Sequence, residues 1–190
     1  ALKIIQKIQT KEEKSISSYI ESRNPFGFPS SARGNPNPAK GNIILHSSKG
    51  NGYVSVSAIT QGQKHMSKYK IMFSKVTSEH AGEPDKSGMF RVLSSVQILP
   101  PNHICTDSYL IAGSFDSLQK AKNCEKYLKS KFARYLLLQA VTSINLSKDK
   151  FDFVPVQDFS QVIDDEFLYK KYLLNEDEIE TIESLMKLID

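Results

Sequence analysis

The sequence predicts an α+β domain: a twisted, mainly antiparallel sheet flanked by helices and followed by a C-terminal helical segment. Three observations lead there. Short runs with strand-like apolar patterning occupy the stretch 42–112, helical periodicity opens the chain and returns from Leu118 onward, and no fixed-period repeat calls for a solenoid or propeller. With 190 residues, 39% of them hydrophobic, the chain is long enough to bury a core. A single domain over 1–190 is expected, with an acidic helical tail at 164–190. The chain opens on Ala1 already inside a helical pattern, which suggests a piece of a longer protein. No run approaches the roughly 18 apolar residues of a membrane helix, and the amino end lacks a basic-then-apolar signal plan, so a cytoplasmic location is expected.

Leu2, Ile5 and Ile8 recur at helical spacing, and Thr10 with Glu13 forms a capping-box pattern for a second short helix through Ile16, Tyr19 and Ile20. That helix must stop at Asn24-Pro25, because a residue before proline is pushed out of the helical region. The segment SRNPFGFPSSARGNPNPAKGN (22–42) then reads as a polar loop rich in Pro, Gly and Asn. Strands are expected at 42–46, 53–58, 68–74, 90–98 and 105–112. In the third, Tyr69, Ile71 and Phe73 alternate with Lys68, Lys70 and Met72, the pattern of a strand with one buried face. KVTSEHAGEPDKSG (75–88) reads as an exposed connection.

A long helix follows, with Asp116 and Gln119 at its start and Leu118, Ala121, Cys124, Leu128, Phe132 and Tyr135 on one face. Lys120, Lys122, Lys126, Lys129, Lys131 and Arg134 surround the remainder, giving a rod with one cationic side. The chain leaves it near Val141, Thr142 and Ser143, runs extended through FDFVPVQDF (151–159), and closes in two acidic helices. The last is capped by Asn175 with Glu178 and offers Ile179, Ile182, Leu185, Met186 and Ile189 for burial.

Charge is unevenly distributed. From Phe151 onward three bases face eleven acids, a net of −8, while the first 150 residues hold twenty-two bases and ten acids, a net of +12. Between residues 22 and 78 there are eight Lys or Arg and no Asp or Glu. Such clustering points to a polyanion or an acidic partner surface, against the alternative of a merely solvated basic face.

Catalytic patterns are missing. Pro84-Asp85 has no Glu/Asp-x-Lys downstream, as a common metal-dependent nuclease requires, and Glu12-Glu13-Lys14 lies upstream in the wrong order. His46, His65, His80 and His103 show no metal-binding spacing, and neither glycine-rich nucleotide loop is present. Asn24-Pro25-Phe26 lacks the second proline of the methyltransferase tetrapeptide. Cys105 and Cys124 lack CxxC spacing, so buried free thiols are expected. No cofactor is expected in these residues.

A duplex-DNA reader needs cations for phosphates and a few Arg, Lys, Asn or Gln side chains on groove-entering loops. The first loop supplies Arg23, Asn24, Arg33, Asn35 and Lys40, the second Lys75, His80 and Lys86, and the helix with its turn Lys131, Arg134 and Thr142. Phe26 and Phe28 either wedge into the duplex or anchor the loop to the core. If about six cations meet phosphates, affinity falls roughly as the fifth power of salt.

Family likeness appears in the second half. A strand precedes a helix carrying Lys131, Phe132 and Tyr135, followed by a turn with Gln139, Thr142, Leu146 and Ser147, an extended segment from Val154 to Phe159, and a tail from Leu168-Tyr169-Lys170-Lys171-Tyr172 through Ile182-Glu183. Together with the SRNPFG start of the first loop, this resembles the C-terminal target-recognition domain of Eco57I-like adenine-specific DNA methyltransferases and restriction-modification enzymes. Leu173 stands where that family carries glycine. The resemblance implies a bacterial DNA-binding module that positions a methyltransferase, with or without a fused endonuclease, on its site. S-adenosylmethionine would belong to the catalytic part of the parent enzyme. The alternative is a protein-interaction module whose acidic helices dock on a catalytic subunit.

Overall fold

The computed structural model describes residues 1–21, 23–38, 43–77, 83–143 and 145–189. Helix α1 (Leu2–Gln9) leads through a 3-10 turn (Ile16–Tyr19) and the first loop into β1 (Ile43–Ser47) and β2 (Gly50–Val54). Strands β3 (Tyr69–Ser74), β4 (Gln97–Leu99), β5 (His103–Cys105) and β6 (Tyr109–Phe115) follow, then helices α2 (Leu118–Lys129), α3 (Lys131–Ala140), α4 (Asp165–Lys171) and α5 (Glu176–Leu185). The strands form two three-stranded sheets, ordered β2-β1-β5 and β4-β3-β6. Every pairing within them is antiparallel except β1 with β5. The α+β class read from the sequence is therefore the architecture of the chain.

The sheet β4-β3-β6 is the middle of three layers. Ile71 and Phe73 of β3, with Leu110 and Ala112 of β6, pack into a helical core alongside Tyr127, Phe132 and Leu136. Met72 and Ile111 face the other way and meet Leu45 and Ile104 of the second sheet. This corrects the expectation of one buried face on β3. The second sheet covers the side that alternation assigned to water, and Lys70 is wholly buried there. Its ammonium donates to the carbonyls of His65 (3.1 Å), Lys68 (2.7 Å) and Pro100 (3.1 Å), which offsets part of the cost of burying a charge. Burial lowers its pKa to about 8. Between Lys70 and Ile71 the pairing with β6 slips by one residue, so Ser114 stands opposite Lys70 and Ala112 opposite Ile71.

The predicted single rod is two helices. Ser130 has extended backbone (ψ 149°) and its hydroxyl accepts the Ala133 amide at 3.1 Å, capping α3. The Asp165 carboxylate accepts the amides of Lys131 (3.1 Å) and Phe132 (2.8 Å), so the N-terminus of α3 is held by the start of α4. The Thr10 capping box is absent as well: Thr10 donates to the Lys7 carbonyl, and Ser15 caps the 3-10 turn instead. Extended residues near 155 pair with the N-terminal segment, through Ile16 to Val154 and Val156 to Lys14, both at 2.7 Å. The predicted strand 90–98 is mostly irregular, because Phe90 bonds Leu185 and Lys187 of the tail rather than a sheet neighbour. The run 53–58 leaves β2 for a 3-10 turn (Val56–Ala58), and 105–112 is divided by a turn at 106–108.

The tail packs as expected of its capping motif. Asn175 and Glu178 form a full capping box, and Ile182 and Met186 are completely buried. Two of its acids are tied to distant bases, Glu178 to Lys7 at 2.6 Å and Glu183 to Lys131 at 2.5 Å. Cys105 and Cys124 are free and buried. Among the described residues no helix is long and apolar enough to cross a membrane.

Candidate functional site

Three segments that are far apart in sequence meet at one cleft of about 770 Å³, whose walls include Arg23, Ser30, Lys75, Asp107, Asn145 and Lys148. Asp107, in the turn between β5 and β6, is its organiser. The Asp107 amide donates to the Phe28 carbonyl at 2.8 Å. Its Oδ1 accepts the Asn24 amide at 2.5 Å and the Lys75 ammonium, and its Oδ2 lies 3.8 Å from the Arg23 guanidinium. Partial burial pushes this carboxyl up, but the hydrogen bonds from Lys75 and Asn24 and the charges of Lys75 and Arg23 outweigh it and hold it below the ordinary range. Lys75 extends the joint through its backbone, donating to Ser108 at 3.2 Å and accepting from Leu146 at 2.6 Å. Val76 bridges Asn145 beside it.

The first loop is seated by its aromatic residues. Phe26 is fully buried in the inter-sheet core and Phe28 is packed against it, which settles them as anchors. Asn24 adopts φ +56°, its carbonyl accepts Gly27 (3.2 Å) and the Gln61 amide, and its own Oδ1 is buried without a partner. Further along, Asn35 and Tyr53 exchange two backbone hydrogen bonds of 2.8 Å each. Gly34 and Gly52 touch there backbone to backbone: a Cβ on Gly34 would come within 2.4 Å of Gly52, and one on Gly52 within 2.6 Å of Gly34. Arg33 is exposed and donates to the carbonyl of Ser30, which lines the cleft.

The predicted contact residues divide into two groups. Arg23, Asn24 and Lys75 are brought together around Asp107, Arg33 and Asn35 stand exposed on the same loop, and Thr142 is exposed in the turn that leads to Asn145. The Arg23 side chain is 87% exposed despite its proximity to Asp107. Lys40 and His80 lie outside the described residues. On the tail side, Lys86 is exposed on a turn that Asp85 ties to Lys187 at 2.7 Å, and Lys131 is paired with Glu183. Arg134 requires correction. It is 1% exposed and its guanidinium donates to the carbonyls of Lys129 (2.9 Å), Arg91 (3.1 Å) and Lys187 (2.7 Å), so it is a buried tie between α3 and its neighbours and no phosphate can reach it. Lys131 and Arg134 therefore do not add to the cations at the cleft.

Sequence patterns missed Asp107, Asn145 and Lys148. Asp107 fell inside the run 105–112 read as one strand, so its turn went unseen. The acids beside it have partners too: Glu21 lies 3.5 Å from Lys64 and 2.9 Å from His65, and Asp149 lies 3.4 Å from Lys150 and accepts from Ser147. His46 and His103 contact each other at 2.9 Å, and His65 contacts Ser114 at 2.8 Å. Among the described residues no three His, Cys, Asp or Glu side chains gather as a metal site. No protein-family model and no curated protein matches the sequence.

Proposed function

We propose that the chain is a duplex-DNA target-recognition module of a bacterial restriction-modification enzyme, acting in the cytoplasm to place an adenine-specific methyltransferase, with or without a fused endonuclease, on its site. The observation that carries this reading is the convergence of Arg23 and Ser30 of the first loop, 74–76 and 145–149 on one cleft lined by exposed Arg23, Asn145 and Lys148, with exposed Arg33 bonded to the Ser30 carbonyl beside it. Guanidinium and ammonium groups there would neutralise phosphates and release counterions, while asparagine amides match the paired acceptor and donor of an adenine edge. The catalytic part of the parent enzyme would bind S-adenosylmethionine and extrude the base. Tail acids Glu178 and Glu183 have partners within the fold, which leaves exposed Glu176, Asp177 and Glu180 as the last-helix acids by which the docking alternative would act.

The test is retention of random duplexes by the isolated chain, followed by sequencing of what is held, then the same with Arg23→Ala and Arg33→Ala. Retention that weakens as salt rises, and weakens further in the variants, supports the reading. A chain that retains no duplex at low salt while associating with a methyltransferase fragment favours the docking alternative.

A further inference from the structure

Asp107 is an acid at the centre of a surface that, on the reading above, holds a polyanion. An acid in that place should weaken binding unless it has another task. Its contacts give it one. Side chain and amide together grip both ends of the Asn24–Phe28 turn, at Asn24 N (2.5 Å) and Phe28 O (2.8 Å), and the same Oδ1 takes the Lys75 ammonium at the end of β3. Lys75 in turn bonds Ser108 and Leu146 through its backbone. One carboxylate thereby joins the first loop, the β5–β6 turn, the end of β3 and the turn after α3. The Arg23 guanidinium, 3.8 Å from the free Oδ2, is steered to the cleft without being neutralised by a close pair, since its side chain stays 87% exposed.

We propose that Asp107 is a positioning residue for DNA binding, a clasp that pre-orders the first loop so that Arg23 and its neighbours meet phosphates without a further ordering cost on association. The inference rests on the DNA-binding reading and deepens it by assigning the device that shapes the surface.

The sign of the effect separates this from simple electrostatics. Loss of an acid from a phosphate-binding surface should tighten binding. The clasp predicts the opposite: Asp107→Ala binds a short duplex roughly ten-fold more weakly at the same salt, and its log K against log salt slope shrinks by about 1 as Arg23 loses its place. Amide hydrogen exchange at Asn24 and Gly27 should quicken in the free variant. Asp107→Asn keeps an acceptor for the Asn24 amide and should bind more tightly than Asp107→Ala, which guards against a variant that merely folds poorly. An Asp107→Ala chain that binds as tightly as wild type or tighter, or an Asp107→Asn chain no better than Asp107→Ala, overturns the inference and leaves the DNA-binding reading standing. A wild-type chain that binds no duplex overturns that reading, and this inference with it.

Discussion

Lys131 donates to the Glu183 carboxylate at 2.5 Å, and Tyr169 donates to the same carboxylate at 2.8 Å. A cation that helical periodicity places on an open face is thus held by the C-terminal helix. Replacing Lys131 with Met should lower stability by about 1 kcal/mol, in the range of partly exposed pairs. Duplex affinity should be unchanged, since the side chain is not part of the cleft. Urea unfolding and fluorescence anisotropy read the two effects separately.

Arg134 offers a sharper contrast. Three carbonyls receive its planar fork, and truncation removes that partner from each, leaving the Arg91 carbonyl with the Leu93 amide alone. Arg134→Leu should cost about 3 kcal/mol of unfolding free energy. Arg134→Lys should recover only part of it, because one ammonium cannot reproduce the fork. The salt slope of duplex binding should be that of wild type wherever the variant is folded. A reduced slope would return Arg134 to the DNA contacts.

Stability should fall on mild acidification. Burial, then the nearby His103 and the charge of Lys70, push His46 down from 6.5 to about 4, and His103 and His65 are lowered as well, chiefly by burial. As pH drops, the unfolded chain takes up these protons before the folded one. The stability contributed by neutral His46 is therefore fully present above about 6.5 and is lost progressively toward about 4. His46→Gln should flatten the decline of the urea midpoint across that window.

The Gly34–Gly52 contact leaves no room for a side chain on either residue. Gly52→Ala must separate two backbones and break the Asn35–Tyr53 pairing, at an expected cost of about 2 kcal/mol. Arg33 and Asn35 would lose their mooring together, so duplex affinity should fall in this variant as well as stability. Thermal melts and anisotropy on the same preparation check both.

What the sequence made legible follows from what its patterns encode. The Asn175–Glu178 box predicted a helix start because both partners are local, and the loop was readable over its described part, 23–38, because proline and glycine act on their own backbone. Lys70 was misread because alternation reports which residues are apolar, and the number of layers around a strand is set by a distant sheet. Ser130 was invisible because the apolar positions of α2 and α3 keep one phase across the break. Arg134 misled for a related reason: a long cationic side chain on an amphipathic helix looks the same whether its head reaches water or buried carbonyls. Asp107 belongs to no pattern at all, since its contacts at Asn24 and Lys75 are made across the fold.

On the DNA-binding reading, the cations that meet phosphates surround the cleft rather than the tail. Salt titrations of duplex binding separate the two surfaces, with wild type, an Arg23→Ala/Arg33→Ala pair and a Lys86→Ala/Lys131→Ala pair. With Arg134 buried and Lys131 and Lys75 paired, Arg23, Arg33 and Lys148 remain to meet phosphates, so the wild-type slope of log K against log salt should be about −3. The cleft pair should lose about 2 from that slope and bind more weakly at every salt concentration, while the tail pair should follow the wild-type line. Equal losses from both pairs would place phosphate contacts on the tail side as well, and no salt-dependent binding by wild type would mean that the chain holds no duplex.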